Sequence, residues 1–247
     1  MDGICGKTAI VTGGATGIGQ ASAKRFAREG ANVVVADVNE EGGQATVETI
    51  ERDGGDAVFV RADVSEPADA ERIVDGALDA FGSVDLAHNN AGITSGSAVT
   101  HEQSIEAWDR TIAVDQRGVW LCMKAEIPQL LDGDGGAIVN TSSLAGLWAN
   151  DKDAPYSSAK HGVVGLTRTA AVEYADQGLR VNALCPGLTD TPMVPDDDEP
   201  LVETTPMGRA ADPAELASIA VWLCSDEASF MTGVPVPVDG GAIVGRM

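Results

Sequence analysis

Lysine is scarce in this chain. Lys7, Lys24, Lys124, Lys152 and Lys160 are the full set, and 16 basic residues face 38 acidic ones for a net charge of -22. A surface so negative repels nucleic acid and anionic membranes, which excludes both as partners. It resembles the surfaces of proteins from salt-loving cells, and it predicts a protein that works where counterions screen self-repulsion. Aromatic residues are only 4% of the chain, so the core must be built from Val, Ala, Leu and Ile. No run approaches the roughly 18 apolar residues that span a bilayer. Met1-Asp2-Gly3-Ile4-Cys5-Gly6-Lys7 lacks the basic-then-apolar pattern of a secretion signal, so a cytoplasmic protein is expected. Cys5, Cys122, Cys185 and Cys224 are scattered without a CxxC pair, and His88, His101 and His161 form no ligand cluster. Disulfides and a metal site are therefore not expected.

What the chain does have is 247 residues, 44% of them hydrophobic, and 29 glycines suited to tight strand-to-helix turns. Strand-like runs are Lys7 to Thr12, Asn32 to Asp37, Asp56 to Arg61, Val84 to Ala87, Gly136 to Thr141, Leu179 to Leu184 and Gly233 to Val238. Val33-Val34-Val35-Ala36 and Ala137-Ile138-Val139 are apolar without alternation, the mark of parallel strands covered on both faces. Helical stretches fall between them: Gly17 to Glu29, Glu40 to Asp53, Pro67 to Phe81, Ala154 to Asp176 and Pro213 to Ser225. Ser104 to Leu131 reads as one long helix or two short ones. Alternating β and α elements predict a doubly wound α/β sheet in a single domain over residues 1–247. Pro235 and Pro237, two apart, remove donors from one side of the last run and make it an edge strand. The irregular stretch 190–212 follows a strand's carboxyl end and is expected to act as a substrate lid.

Three features carry chemistry. Gly13, Gly17 and Gly19, in Thr12-Gly13-Gly14-Ala15-Thr16-Gly17-Ile18-Gly19, follow a strand and open a helix, so backbone can approach a pyrophosphate at the helix N-terminus. Asp37 closes the second strand, where a carboxylate accepts both ribose hydroxyls and repels a 2′-phosphate. Val38 and Thr16 leave no Lys or Arg at hand for that phosphate, which favours NAD over NADP. Tyr156 and Lys160 stand four apart, on one face of a helix. A phenol holds its proton to about pH 10, and the neighbouring ammonium is expected to ease its ionisation.

These residues, with Asn89-Asn90-Ala91-Gly92, Ser143, Tyr156-Ser157-Ser158-Ala159-Lys160 and Pro186-Gly187 with Thr191, resemble the short-chain dehydrogenase/reductase family along nearly the whole chain. The resemblance implies a Rossmann-type, doubly wound, seven-stranded mainly parallel sheet with helices on both faces, usually in a homotetramer. It implies that Thr16, Ile18 and Val38 join the glycines and Asp37 around NAD, and that Asp63 and Val64 border the adenine. Asn90, Ala91 and Gly92 would line the cofactor's middle, with Pro186, Gly187, Thr189 and Thr191 at the nicotinamide. Tyr156 is then the acid/base, Lys160 tunes it and holds the ribose, and Ser143 binds the substrate oxygen; Ser142 is expected to point away. One position departs from the family: Asp115, in Ala113-Val114-Asp115-Gln116-Arg117-Gly118, stands where Asn is usual in a proton relay. Leu144, Trp148, Ala149 and Met193 are expected near the reactive carbon, or as packing residues. The activity implied is NAD-dependent oxidation of a secondary alcohol or reduction of its ketone. A 3-oxoacyl-[acyl-carrier-protein] reductase, a sugar dehydrogenase and a non-catalytic NAD-sensing regulator remain as alternatives.

Overall fold

The computed structural model describes residues 1–133, 135–194, 202 and 205–245. Strands β1 (Thr8–Thr12), β2 (Asn32–Asp37), β3 (Ala57–Arg61), β4 (Leu86–Asn89), β5 (Gly136–Thr141), β6 (Leu179–Pro186) and β7 (Pro235–Val238) form one sheet in the order β3-β2-β1-β4-β5-β6-β7. Every pairing is parallel. Around it run α1 (Gly17–Arg28), α2 (Glu40–Arg52), α3 (Pro67–Phe81), α4 (Ile105–Ile112), α5 (Val119–Asp132), α6 (Ala154–Tyr174), α7 (Pro213–Cys224) and the short α8 (Ala242–Gly245).

The unbroken apolar strands serve two cores at once. Successive residues point to opposite faces, so Ile10, Val34 and Ile138 pack with α3, α5 and α6 through Ile73, Leu130 and Val163. Their neighbours Val11, Val33 and Val139 pack with α1, α2 and α7 through Phe26, Ile50 and Leu216. The sheet order reverses between β1 and β4. In a doubly wound sheet that reversal opens a crevice beyond the strands' carboxyl ends, where ligands bind.

Most of the expected elements appear with ends shifted by one or two residues. The larger difference is β4, expected at Val84 to Ala87 and found at Leu86–Asn89. His88 and Asn89 are polar, yet they are 0% and 1% exposed inside the strand, so their polarity conceals a buried segment. The last strand begins two residues later than expected, at Pro235, and does lie at the sheet edge beside β6. The stretch from Ser104 onward forms one continuous helical run, the first of the two expected alternatives. Between α4 and α5 lies a wider π-helical turn, Ala113–Gly118, continuous with both helices. Such a turn adds a residue to the helical circuit and re-aims side chains, often at functional sites; here it turns Asp115 inward. Of the expected lid, residues 195–201, 203 and 204 lie outside the described residues.

Candidate active site

A cavity of about 760 Å³ opens at the carboxyl ends of the strands on both sides of the sheet reversal. Its floor at one end is the turn after β1. Gly13 and Gly17 hold φ values of 67° and 53°, a left-handed backbone open to glycine at little cost. A Cβ at Gly13 would lie 2.9 Å from the Ala91 Cα, and one at Gly19 would overlap the Gly13 carbonyl oxygen. Gly19 is thus a packing glycine beneath the turn, while Gly13, Thr16, Gly17 and Ile18 line the cavity. Asp37 is tied to the same turn: its carboxylate accepts from the Ala15 amide at 3.0 Å and the Asn39 amide at 2.9 Å. Val38, Asp63 and Val64 continue this wall, and Asn90, Ala91 and Gly92 form the middle. The Thr12 hydroxyl accepts from the Asn90 and Ala91 amides at 3.0 and 3.1 Å, which clamps this middle segment to β1.

Ser143, Tyr156 and Lys160 also line the cavity, as do Pro186, Gly187, Thr189 and Thr191; Thr191 lies against the glycine turn, its side chain 3.1 Å from where a Cβ on Gly17 would be. Ser143 follows β5, and its hydroxyl accepts from the Ala145 amide at 3.1 Å. Ser142 also lines the cavity, but its hydroxyl donates to the Lys160 carbonyl at 2.9 Å and is engaged there. Helix α6 carries both Tyr156 and Lys160, and the ammonium lies 5.3 Å from the phenol ring centre. Lys160 is 2% exposed and donates to the Thr141 carbonyl at 3.2 Å. Asp115 is fully buried behind it. One carboxylate oxygen accepts from the Ile93 amide at 2.8 Å; the other is 3.3 Å from the Lys160 ammonium, at ion-pair distance without hydrogen-bond alignment.

The electrostatics follow from this burial. Desolvation lowers the Lys160 pKa, but the charges of Asp115 and Tyr156 outweigh it and hold the ammonium above its ordinary value. Asp115 is pushed up by burial, against the pull of Lys160 and the Ile93 amide. Tyr156 departs from the sequence expectation. Lys160 and Ser143 do favour its ionised form, but burial is the larger effect and Asp115 adds to it, so the phenol sits above its ordinary value. A cation alone does not lower a pKa if the same environment removes water.

Of the residues expected around the substrate, Met193 lines the cavity and Leu144 and Trp148 do not. Leu144 lies in a short helical turn with Ala145 and Gly146, and Trp148 is 37% exposed. The lining also includes residues the sequence reading did not name. Ile93 and Leu188 directly follow the Asn89–Gly92 and Pro186-Gly187 motifs, while Pro192 and Val194 belong to the stretch 190–212 expected as a lid. Asp109, Arg110, Ala113 and Val114 come from α4 and the π-helical turn, and their spacing would have been readable once one of them was known.

Glycines that leave room at a helix N-terminus, a carboxylate on the cavity wall and a Ser/Tyr/Lys constellation in the same cavity are the residue types that suit a nicotinamide dinucleotide and a hydroxylated substrate. Fold and site together define an oxidoreductase acting on CH–OH groups with a nicotinamide cofactor. Comparison with known proteins agrees. Residues 13–242 match the family model described as Enoyl-(Acyl carrier protein) reductase. The chain is 44% identical over 235 residues to a cyclohexanol dehydrogenase from Acinetobacter sp., covering 95% of this chain and 94% of that protein. It is 42% identical over 246 residues to a 2,5-dichloro-2,5-cyclohexadiene-1,4-diol dehydrogenase from Sphingobium indicum, covering 98% of each. The crystal structure of levodione reductase superposes with a TM-score of 0.93 at 33% identity, covering 96% of this chain and 97% of that one. The chain belongs to the short-chain dehydrogenase/reductase family.

Proposed function

We propose that this protein is an NAD-dependent dehydrogenase that interconverts a secondary alcohol on a six-membered carbocycle with its ketone. The observation that carries this reading is the convergence of Ser143, Tyr156 and Lys160 on a cavity that the glycine turn and Asp37 also line. When bound, the cofactor supplies the hydride acceptor for alcohol oxidation. Ser143 donates to the substrate oxygen and fixes it beside the phenol. Ionised Tyr156 takes the hydroxyl proton as the carbinol C–H bond breaks and the ketone forms; in reduction the neutral phenol returns it. Lys160, kept charged by Asp115, stabilises the phenolate and holds the cofactor ribose. Asp115 is a positioning residue acting through Lys160.

The ring-alcohol substrate follows from two features. Ile93, Leu188, Met193 and Val194 give the cavity apolar lining, and Lys160 and Arg110 are the only cations among the described lining residues. With Lys160 engaged by Asp115, Arg110 is the lining cation left to meet a charged substituent on the ring. The relatives named for cyclohexanol and a cyclohexadienediol point the same way. Asp37 beside the exposed Val38 supports NAD, since among the described residues no Lys or Arg lines the cavity next to them in the chain. A carrier-protein substrate is disfavoured by the charge of -22, because acidic carriers dock on basic patches.

The same proposal includes a cytoplasmic homotetramer active at high salt. Among the described residues no helix is long and apolar enough to cross a membrane. Large apolar side chains are exposed at Ile105, Trp108 and Trp120 on α4 and α5, and at Val172, Phe230 and Val234 on α6 and the approach to β7. Two independent self-complementary faces are what a tetramer of dihedral symmetry uses.

The test is initial-rate measurement at low and molar salt, with NAD and NADP, on cyclohexanol, cyclic diols, sugars and 3-oxoacyl thioesters. Preference for NAD with the ring alcohols, stronger at high salt, supports the reading. Turnover confined to the thioesters with NADPH would replace it with the carrier-protein reductase.

A further inference from the structure

His88 is completely buried in β4, two residues before the cofactor-lining Asn90, and neither the chemistry above nor the family resemblance uses it. Its Nε2 lies 2.9 Å from the Thr141 hydroxyl on the adjacent strand β5. That hydroxyl donates to the Asn90 side-chain oxygen at 3.3 Å, while the Asn90 side-chain amide donates to the Thr12 carbonyl at 3.3 Å. A threonine hydroxyl carries one proton. If Thr141 gives it to Asn90, the imidazole must present N–H at Nε2 and leave Nδ1 bare, and Nδ1 has no partner among the described residues. Burial depresses the His88 pKa to about 3, so the ring stays neutral and keeps a single proton.

Thr141 is also the residue whose carbonyl receives the Lys160 ammonium. Its two oxygens therefore face the two halves of the site: the carbonyl holds the catalytic lysine, and the hydroxyl holds the cofactor-lining asparagine. The Asn90 amide nitrogen in turn packs against the glycine turn, 3.0 Å from where a Cβ on Gly13 would lie. The direction of every proton in this chain is set at its buried end.

We propose that His88 is a positioning residue for cofactor binding: its Nε2–H fixes the Thr141 hydroxyl toward Asn90, and this sets the orientation of the Asn90 amide beneath the dinucleotide. Without the imidazole donor, the Thr141 hydroxyl is free to turn and Asn90 loses its one specified acceptor contact. The effect falls on cofactor affinity, because the carbonyl of Thr141 still receives Lys160.

The experiment is a fluorescence titration of NADH and NADPH into the purified wild type, His88→Leu, His88→Gln, Thr141→Val and the double variant His88→Leu/Thr141→Val, with melting temperatures recorded. This readout needs no substrate, so it stands apart from the ring-alcohol assignment. A lost hydrogen bond of ordinary strength weakens binding about five- to tenfold. That loss is expected for the preferred cofactor in His88→Leu and again in Thr141→Val, with the double variant no worse than Thr141→Val alone. His88→Gln, which keeps an N–H donor, is expected within about twofold of wild type. If His88→Leu does not fold, Thr141→Val and His88→Gln carry the test between them. Wild-type affinity in Thr141→Val, equal losses in His88→Gln and His88→Leu, or additive losses in the double variant would overturn the proposal.

Discussion

Two buried carboxylates lie eleven residues apart on one continuous helical stretch; burial raises both, but they are given different partners. Asp115, in the π-helical turn, is 0% exposed and faces the Lys160 ammonium at 3.3 Å. Glu126, on α5, is 1% exposed and has only the Asn89 amide, at 3.0 Å, as a partner; its other oxygen has none among the described residues. Burial pushes Glu126 up to about 7. The same desolvation acts on Asp115, but there a cation and a backbone amide pull the other way. A buried acid beside a lysine becomes half of an ion pair that keeps the lysine charged; one beside an amide becomes a group that holds a proton near neutrality.

Removing the cation should break this contrast with the largest effect. Lys160→Met leaves Asp115 buried and uncompensated, which typically costs about 3–5 kcal/mol of stability. Turnover should fall by about a thousandfold or more, since both phenolate stabilisation and the ribose contact go. Adding Asp115→Asn should recover much of the stability and none of the turnover. Urea denaturation and initial rates check both, and an unchanged unfolding midpoint in Lys160→Met would show that the pair is not coupled.

The next effect belongs to Glu126. Its folded pKa of about 7 lies above the ordinary 4.5, so between those values the native state holds a proton that the unfolded state has released. Stability should therefore fall as pH rises through that window, by up to about 3 kcal/mol from this group. Glu126→Gln should flatten that slope and be the more stable protein at pH 8, as measured by thermal or urea unfolding across pH. A mutant with the wild-type slope would assign the dependence elsewhere.

Asp115→Asn is the mildest and most specific change. The carboxylate raises both Lys160 and Tyr156, so its removal should lower the kinetic pKa for alcohol oxidation, moving activity to lower pH. Turnover should stay within about a hundredfold of wild type. A pH–rate profile checks this, and an upward shift would reverse the assigned role of the carboxylate.

This contrast also marks how far the sequence could be read. Uninterrupted apolar runs such as Val33-Val34-Val35-Ala36 announce parallel strands, Ile73, Val74 and Ala77 announce α3, and Pro235 and Pro237 announce the sheet edge. Gly13, Asp37, Ser143, Tyr156 and Lys160 stand out because their spacing carries a chemistry. His88, Asn89 and Glu126 do not, because a polar side chain gives no local sign that it will be buried. Their partners, Thr141, Asn140 and Asn89, arrive from other strands. The π-helical turn was hidden too, because one added residue in a helical circuit leaves no gap in an apolar pattern. Even the Tyr156–Lys160 pair was only half legible: the spacing revealed the cation and concealed the desolvation that opposes it.

The central claim is that Tyr156 exchanges the substrate's hydroxyl proton beside a separately bound nicotinamide. Its most direct measurement is Tyr156→Phe, assayed for NADH formation from a ring alcohol and titrated with NADH by fluorescence. The account predicts turnover reduced by about a thousandfold or more with cofactor affinity within about threefold of wild type. Turnover at the wild-type level in Tyr156→Phe would contradict it.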